Sequence, residues 1–199
     1  STVRSLNVYS EIKPGNMPAN EIRKLNPVGI ILTGGPYSVY LPDSPKCDPE
    51  LFELGIPILG ICYGMQMMCH MLGGEVVPGG TGEYGIVPAT ATAPSKLFSG
   101  EKGTFNVLMS HRDMVTRLPK DFIRTASTAN CIAACENASK RLYGVQFHPE
   151  TKHTSGGKEI IKRFLYDICG ASGDYRLDDY MKTQIRQIRQ RVGDKNVLL

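Results

Sequence analysis

The stretch IPILGICYGMQMMCHMLGG, residues 56–74, decides how the chain folds. Residues 56–62 form a short apolar run that reads as a buried strand. From Met65 the residues favour a helix, which stops at Gly73 and Gly74. At the junction Gly60, Cys62 and Gly64 alternate, so the chain turns sharply from strand to helix with a cysteine at the bend.

The same pattern recurs on both sides. VGIILTGGP, residues 28–36, is an apolar run stopped by Gly34, Gly35 and Pro36. YGVQFHP, residues 143–149, is a short β-rich run ending in a polar loop. GKEIIKRFLYDICG, residues 157–170, sets Ile160, Ile161, Phe164, Leu165 and Ile168 on one helical stripe closed by Gly170. Residues 75–115 read as shorter strands and turns. Strand, glycine turn and helix in repetition predict an α/β fold with an open, mainly parallel twisted sheet flanked by helices. In such sheets ligands bind beyond the carboxyl ends of the strands. Gly34, Gly35, Cys62 and His148 all fall at such ends.

Composition sets the surroundings. The 199 residues are 41% hydrophobic and 21% charged, enough for one well-packed domain. A net charge of +4, with no long basic block before the C-terminal segment, gives no argument for a nucleic-acid partner. No run of ~18 apolar residues marks a membrane span, and no signal-peptide pattern is visible. Six cysteines in a chain of this size with ample apolar residues are expected as reduced thiols in a cytoplasmic protein. Cys131 and Cys135 lack the spacing and histidine partners of a zinc site, so no metal is expected there.

Chemistry enters with Cys62. A cysteine at a strand-to-helix bend meets the unpaired N–H groups and positive dipole end of the helix, which favour a negative sulfur. Small residues on both sides make room for a strained elbow, as around the serine of GxSxG hydrolases. The blander alternative is a small apolar residue opening a buried helix. QFHPE supplies a proton carrier in His148, and Glu150, two residues on, can orient its ring. Backbone donors of TGGP and the N–H of Tyr63 can receive the oxyanion formed when a thiolate attacks a carbonyl. TGGP lacks the GxxxxGK[ST] spacing of a phosphate loop, so nucleotide binding is not expected there.

Taken together and in order, LTGGP, GICYGMQ and QFHPE resemble the class I (triad) glutamine amidotransferase family. GEYG (82–85), MSHRDMV (109–115) and HPETKHT (148–154) resemble its GMP-synthesising branch, and the likeness runs over essentially the whole chain. It implies a flavodoxin-like fold and a glutaminase that releases ammonia through a cysteine γ-glutamyl thioester. It makes Cys62, His148 and Glu150 the catalytic triad, Gly35 and Tyr63 the oxyanion donors, and Gln66, Ser110, Arg112 and Asp113 the glutamine-reading residues. Residues 1–170 would be the amidotransferase domain, short of a first strand. Residues 171–199 would be a linker helix and the first strand of an ATP-pyrophosphatase (synthetase) domain. That domain would hold ATP and Mg and convert XMP to GMP; no cofactor is implied for the amidotransferase domain itself. The joined protein would be a homodimer. The chain departs from the family pattern at Arg112, where glycine is common. An amidotransferase of another pathway and a non-catalytic module of the same fold are the alternatives.

In the tail, Leu177, Met181, Ile185, Ile188 and Val192 recur at helical spacing beside Lys182, Arg186, Arg189 and Arg191. This predicts an amphipathic helix that packs on the synthetase domain, with KNVLL, residues 195–199, as a strand after it. His70, His111 and His153 are given no catalytic part.

Overall fold

A computed structural model describes residues 2–99 and 103–193. The chain divides into two compact units: Ile12–Ala171, and Ser1–Glu11 together with Ser172–Leu199.

In the larger unit, helix α2 (Ala19–Lys24) precedes strand β1 (Ile30–Leu32). Strand β2 (Ile58–Ile61) runs through the bend at Cys62 into helix α3 (Tyr63–Met71). Strands β3 (Glu75–Ala91), β4 (Thr104–Arg117), β5 (Ile123–Ser127), β6 (Ile132–Asn137) and β7 (Leu142–Val145) follow. Helix α4 (Gly157–Arg163) continues into a π-helical segment, Phe164–Ile168. The five apolar residues of the expected stripe are all buried there.

The strands form one seven-stranded sheet in the order β1-β2-β7-β6-β5-β3-β4. The α/β class holds, but the sheet is mixed rather than mainly parallel. β1 with β2 and β2 with β7 are parallel, while the β7, β6, β5, β3 and β4 neighbours are antiparallel. The physical reason is connection length. Residues 128–131 and 138–141 are too few for a crossover, and so short a link returns the chain antiparallel.

A second difference lies in residues 75–115. β3 and β4 are two long strands, of 17 and 14 residues, paired along most of their length. The glycines that suggest turns instead sit at a register shift between Pro78 and Glu83.

The parallel register fixes the location of the site. Leu32 lies opposite Gly60, Gly60 opposite Gly144 and Ile61 opposite Val145. The three strands therefore end level with one another, and the residues that follow them share one sheet edge. Beneath that edge Ile58, Leu59, Met65, Met68, Leu142, Phe147 and Phe164 are almost fully removed from water. Burying each such side chain contributes about 2 kcal/mol, which holds the edge firmly.

In the smaller unit, helices α1 (Thr2–Ser5) and α5 (Leu177–Val192) form. The Arg4 guanidinium lies 5.4, 6.0 and 5.2 Å from the ring centres of Tyr9, Tyr175 and Tyr180. Leu177, Met181, Ile185 and Ile188 of α5 are exposed. The strand expected of KNVLL lies outside the described residues.

Candidate active site

Cys62 is the hinge of the site. Its backbone has φ 53° and ψ −110°, a region a non-glycine residue enters only under constraint, at a cost of about 1–3 kcal/mol. The constraint is visible in its neighbours. A Cβ on Gly60 would lie 2.7 Å from the backbone of Gly64, and one on Gly64 would run into the Leu32 carbonyl. The flanking glycines are thus required by close approach of helix α3 to β1 and β2. Cys62 N–H still donates to the Val145 carbonyl at 2.8 Å, so the bend begins only after the ladder is complete.

The thiol is buried, with 5% of the residue exposed, at the N-terminus of α3. It faces the Ser110 carbonyl at 3.7 Å and receives the Gln146 side-chain amide at 3.7 Å. Gly34, beyond the end of β1, adjoins both Cys62 and His148: a Cβ there would be 3.5 Å from the Cys62 Cβ and 3.3 Å from the His148 Cε1. Gly35 lies beside Tyr37 and Tyr63.

His148 follows β7. Its Nδ1 is 2.7 Å from Glu150 Oε1, the two side chains being 20% and 43% exposed. Hydrogen bonding to Cys62 and then to Glu150 raises His148 to about 10, against a desolvation that would lower it. For Glu150 desolvation acts upward, but the hydrogen bond and charge of His148 outweigh it and hold the carboxyl below its ordinary range. The loop is tied down by Thr154. Its hydroxyl donates to the His148 carbonyl at 2.7 Å and accepts from Leu108 N–H at 3.0 Å, while His148 N–H donates to the Leu108 carbonyl.

The remaining expected residues divide. Gln66 is buried on α3 and donates through Nε2 to the Asp113 carbonyl at 2.8 Å and to Gln146 Oε1 at 3.1 Å. Asp113 is also buried and accepts from the Tyr40 hydroxyl at 3.2 Å. Along β4 exposure alternates, so His111 and Asp113 are buried while Ser110 and Arg112 are exposed. Ser110 reaches Cys62 through its backbone oxygen. Arg112 shows no side-chain contact with the triad among the described residues. His111 is a structural hydrogen-bonding residue, its Nδ1 2.8 Å from the Asp113 carbonyl and its Nε2 3.2 Å from Glu83 Oε2.

Two residues absent from the sequence-based site belong beside it. Gln146 is fully buried and links Gln66 to Cys62. Its signal was a lone amide inside an apolar strand, since a buried polar group requires partners. Thr154 gave no comparable signal, because a threonine in a polar loop is ordinary.

All six cysteines are free. Cys135 faces Cys69, their sulfurs 3.9 Å apart, while Cys131 turns to Glu83 and His111.

A thiol at a helix N-terminus, an imidazole beside it and a carboxylate on that imidazole form the arrangement of a cysteine nucleophile with its base and orienting group. The family model for class-I glutamine amidotransferases matches residues 1–168, and the chain belongs to that family. Among curated relatives it is similar to the "GMP synthase [glutamine-hydrolyzing]" of Streptococcus pneumoniae (strain ATCC 700669 / Spain 23F-1). It is 52% identical to that protein over 201 residues, which is 99% of this chain and 38% of the relative. The chain therefore spans well under half the length of the curated relatives it matches. Among solved structures it resembles a Thermoplasma acidophilum protein described as one component of a GMP synthase. The TM-score is 0.74 at 27% identity, over 92% of this chain and 88% of the other. A glutamine amidotransferase from Methylobacillus flagellatus shares the fold, with TM-score 0.60 at 18% identity over 76% and 64% of the two chains.

Proposed function

We propose that this chain hydrolyses glutamine and supplies the ammonia to a synthetase domain that aminates XMP to GMP. The observation that carries the chemistry is the strained Cys62 at the head of α3, with His148 beside it and Glu150 2.7 Å from the imidazole.

In this reading the Cys62 sulfur attacks the side-chain amide carbon of glutamine. The charge passes to the carbonyl oxygen, which the N–H groups of Gly35 and Tyr63 receive. As the tetrahedral species collapses, protonated His148 gives its proton to the departing nitrogen and ammonia leaves. The γ-glutamyl thioester then meets a water whose proton goes to His148. Hydroxide adds to the carbonyl, the sulfur leaves, and glutamate is released. Glu150 keeps Nε2 aimed at the sulfur and stabilises the imidazolium. Gln66, Asp113 and the backbone of Ser110 bind the amino-acid end of glutamine, whose charged groups need partners once desolvated. Arg112 contributes through its backbone and the pocket rim.

Residues 1–170 act as the amidotransferase domain, and residues 171–199 lead into the synthetase domain. The exposed apolar stripe of α5 supports that second assignment, because Leu177, Met181, Ile185 and Ile188 gain by burial against a partner surface. ATP and Mg belong to the synthetase domain, and the joined protein is a homodimer by the same family resemblance. Six free thiols favour the reducing cytoplasm, and no helix among the described residues is long and apolar enough to cross a membrane.

The test is glutamate release by the chain joined to its synthetase domain with ATP and XMP, beside a Cys62→Ala control. Cys62-dependent release is expected, with GMP formed in step. Release that survives Cys62→Ala refutes the catalytic reading; ammonia accepted by another substrate but not XMP refutes the pathway assignment alone. Release by this chain alone is expected to be weak, since partner contacts commonly complete such sites.

A further inference from the structure

Away from Cys62, three side chains bearing metal-ligating atoms converge from separate parts of the sequence: Glu83 on β3, His111 on β4 and Cys131 just before β6. Glu83 Oε2 is 3.2 Å from His111 Nε2 and 3.0 Å from Cys131 Sγ, and Sγ is 3.9 Å from Nε2. A tetrahedral zinc ion with bonds of about 2.0–2.3 Å separates its ligand atoms by about 3.5 Å. The three atoms therefore approximate one face of such a tetrahedron.

Their outer partners point each ligand atom inward. His111 Nδ1 lies 2.8 Å from the Asp113 carbonyl, which can only accept, so Nδ1 carries a proton and Nε2 is the atom offered to the cluster. Glu83 Oε1 is held by the Thr128 hydroxyl at 2.8 Å and the Asn130 amide at 3.1 Å, leaving Oε2 to face the other two. Among the described residues no lysine or arginine pairs with the three inward atoms, and the charge of Arg124 favours the Cys131 thiolate. A divalent cation offsets the negative charges of the Glu83 carboxylate and a Cys131 thiolate, so the loaded cluster is neutral and burial does not oppose it.

We propose that Glu83 Oε2, His111 Nε2 and Cys131 Sγ form a binding site for one zinc-class divalent cation, with a fourth position for water. The thiolate and imidazole select zinc, cobalt or cadmium over magnesium and calcium. Binding forms bonds from the metal to S, N and O and releases the Cys131 thiol proton to solvent. Cys131 is partly exposed as a residue, although the three ligand positions are buried. His111 and Gln66 share the Asp113 carbonyl, so an ion here braces the strand beside the glutamine pocket. The site itself requires no part of the glutaminase reading.

Cadmium is the probe, titrated into the reduced chain carrying Cys62→Ser and Cys69→Ala, so that the thiol at the head of α3 and the Cys69–Cys135 pair are silent. The expected result is one saturating equivalent, an ultraviolet thiolate-to-cadmium band, and release of the Cys131 thiol proton. Cys131→Ser should abolish the band, Glu83→Gln should weaken binding by more than the roughly 10- to 100-fold that loss of an outer partner costs, and Cys169→Ser should change neither. Alkylation mapped by mass spectrometry tests the site without altering it: cadmium should protect Cys131 and leave Cys169 reactive. A band that survives Cys131→Ser, no saturable band, or unprotected Cys131 overturns the proposal.

Discussion

Strands β1, β2 and β7 and strand β4 of the β3–β4 pair converge on Cys62 but equip its surroundings differently. The parallel strands end level and carry the proposed reacting groups on the residues just beyond them: Gly34 and Gly35, Cys62, and His148 with Glu150. The antiparallel pair contributes mostly backbone, through the carbonyls of Ser110 and Asp113, with buried Asp113 and His111 behind. Side chains at strand ends can be aimed by steric constraint, whereas a recognition strand is aimed by hydrogen bonds to neighbours. Damage to the first region should remove turnover, and damage to the second should weaken substrate binding.

Cys62→Ala should have the largest effect, lowering kcat for glutamine hydrolysis about 10⁴-fold or more without changing the fold. Circular dichroism beside an ammonia assay checks both halves of that statement. Gly64→Ala attacks the same region sterically, since its Cβ would meet the Leu32 carbonyl. A loss of about 3 kcal/mol in urea unfolding is expected, with activity falling alongside.

Glu150→Gln should lower kcat roughly 10²-fold while glutamine KM changes little. It should also lower the pKa of His148, because the carboxylate favours the charged ring. The sign for stability follows from the raised value of about 10. The pairing stabilises the fold fully below the unfolded histidine pKa of ~6.5 and ceases as pH rises through about 10. The stability gap between wild type and Glu150→Gln should therefore be widest near pH ~6, and should close on the alkaline side. A gap that widens with rising pH contradicts the assignment.

On the recognition side, Gln66→Ala should raise KM about tenfold, the cost of unpairing one or two buried hydrogen bonds, with a smaller effect on kcat. Arg112→Gly should be the mildest change, within about threefold in kcat/KM, as for an exposed side chain without partners at the site. A large loss there would move Arg112 from the rim into the recognition machinery.

The parallel region was also the more legible in sequence. An apolar run closed by glycine has few other readings, and the steric demand at Gly60 and Gly64 left its mark directly on the residues. The stripe of α4 was equally plain because burial of Ile160, Ile161, Phe164, Leu165 and Ile168 imposes the helical period. β3 and β4 were hidden by Pro78, Gly79, Gly80 and Gly82, whose local preference for turns is overridden by pairing across a register shift. β5, β6 and the antiparallel hand they impose went unread, although the four-residue links 128–131 and 138–141 are too short for a crossover. The proposed triad was readable because Cys62 and His148 follow strand ends and Glu150 lies two residues beyond His148. The cluster of Glu83, His111 and Cys131 was not, since only the folded sheet brings its members together.

The central claim is that Cys62 carries a γ-glutamyl thioester. The direct measurement is acid quenching of the chain, joined to its synthetase domain, during turnover with glutamine, ATP and XMP, followed by peptide mass mapping. A γ-glutamyl adduct on the peptide bearing Cys62, absent in Cys62→Ser, is the predicted result. An adduct on another residue, or turnover that persists in Cys62→Ser, would contradict the account.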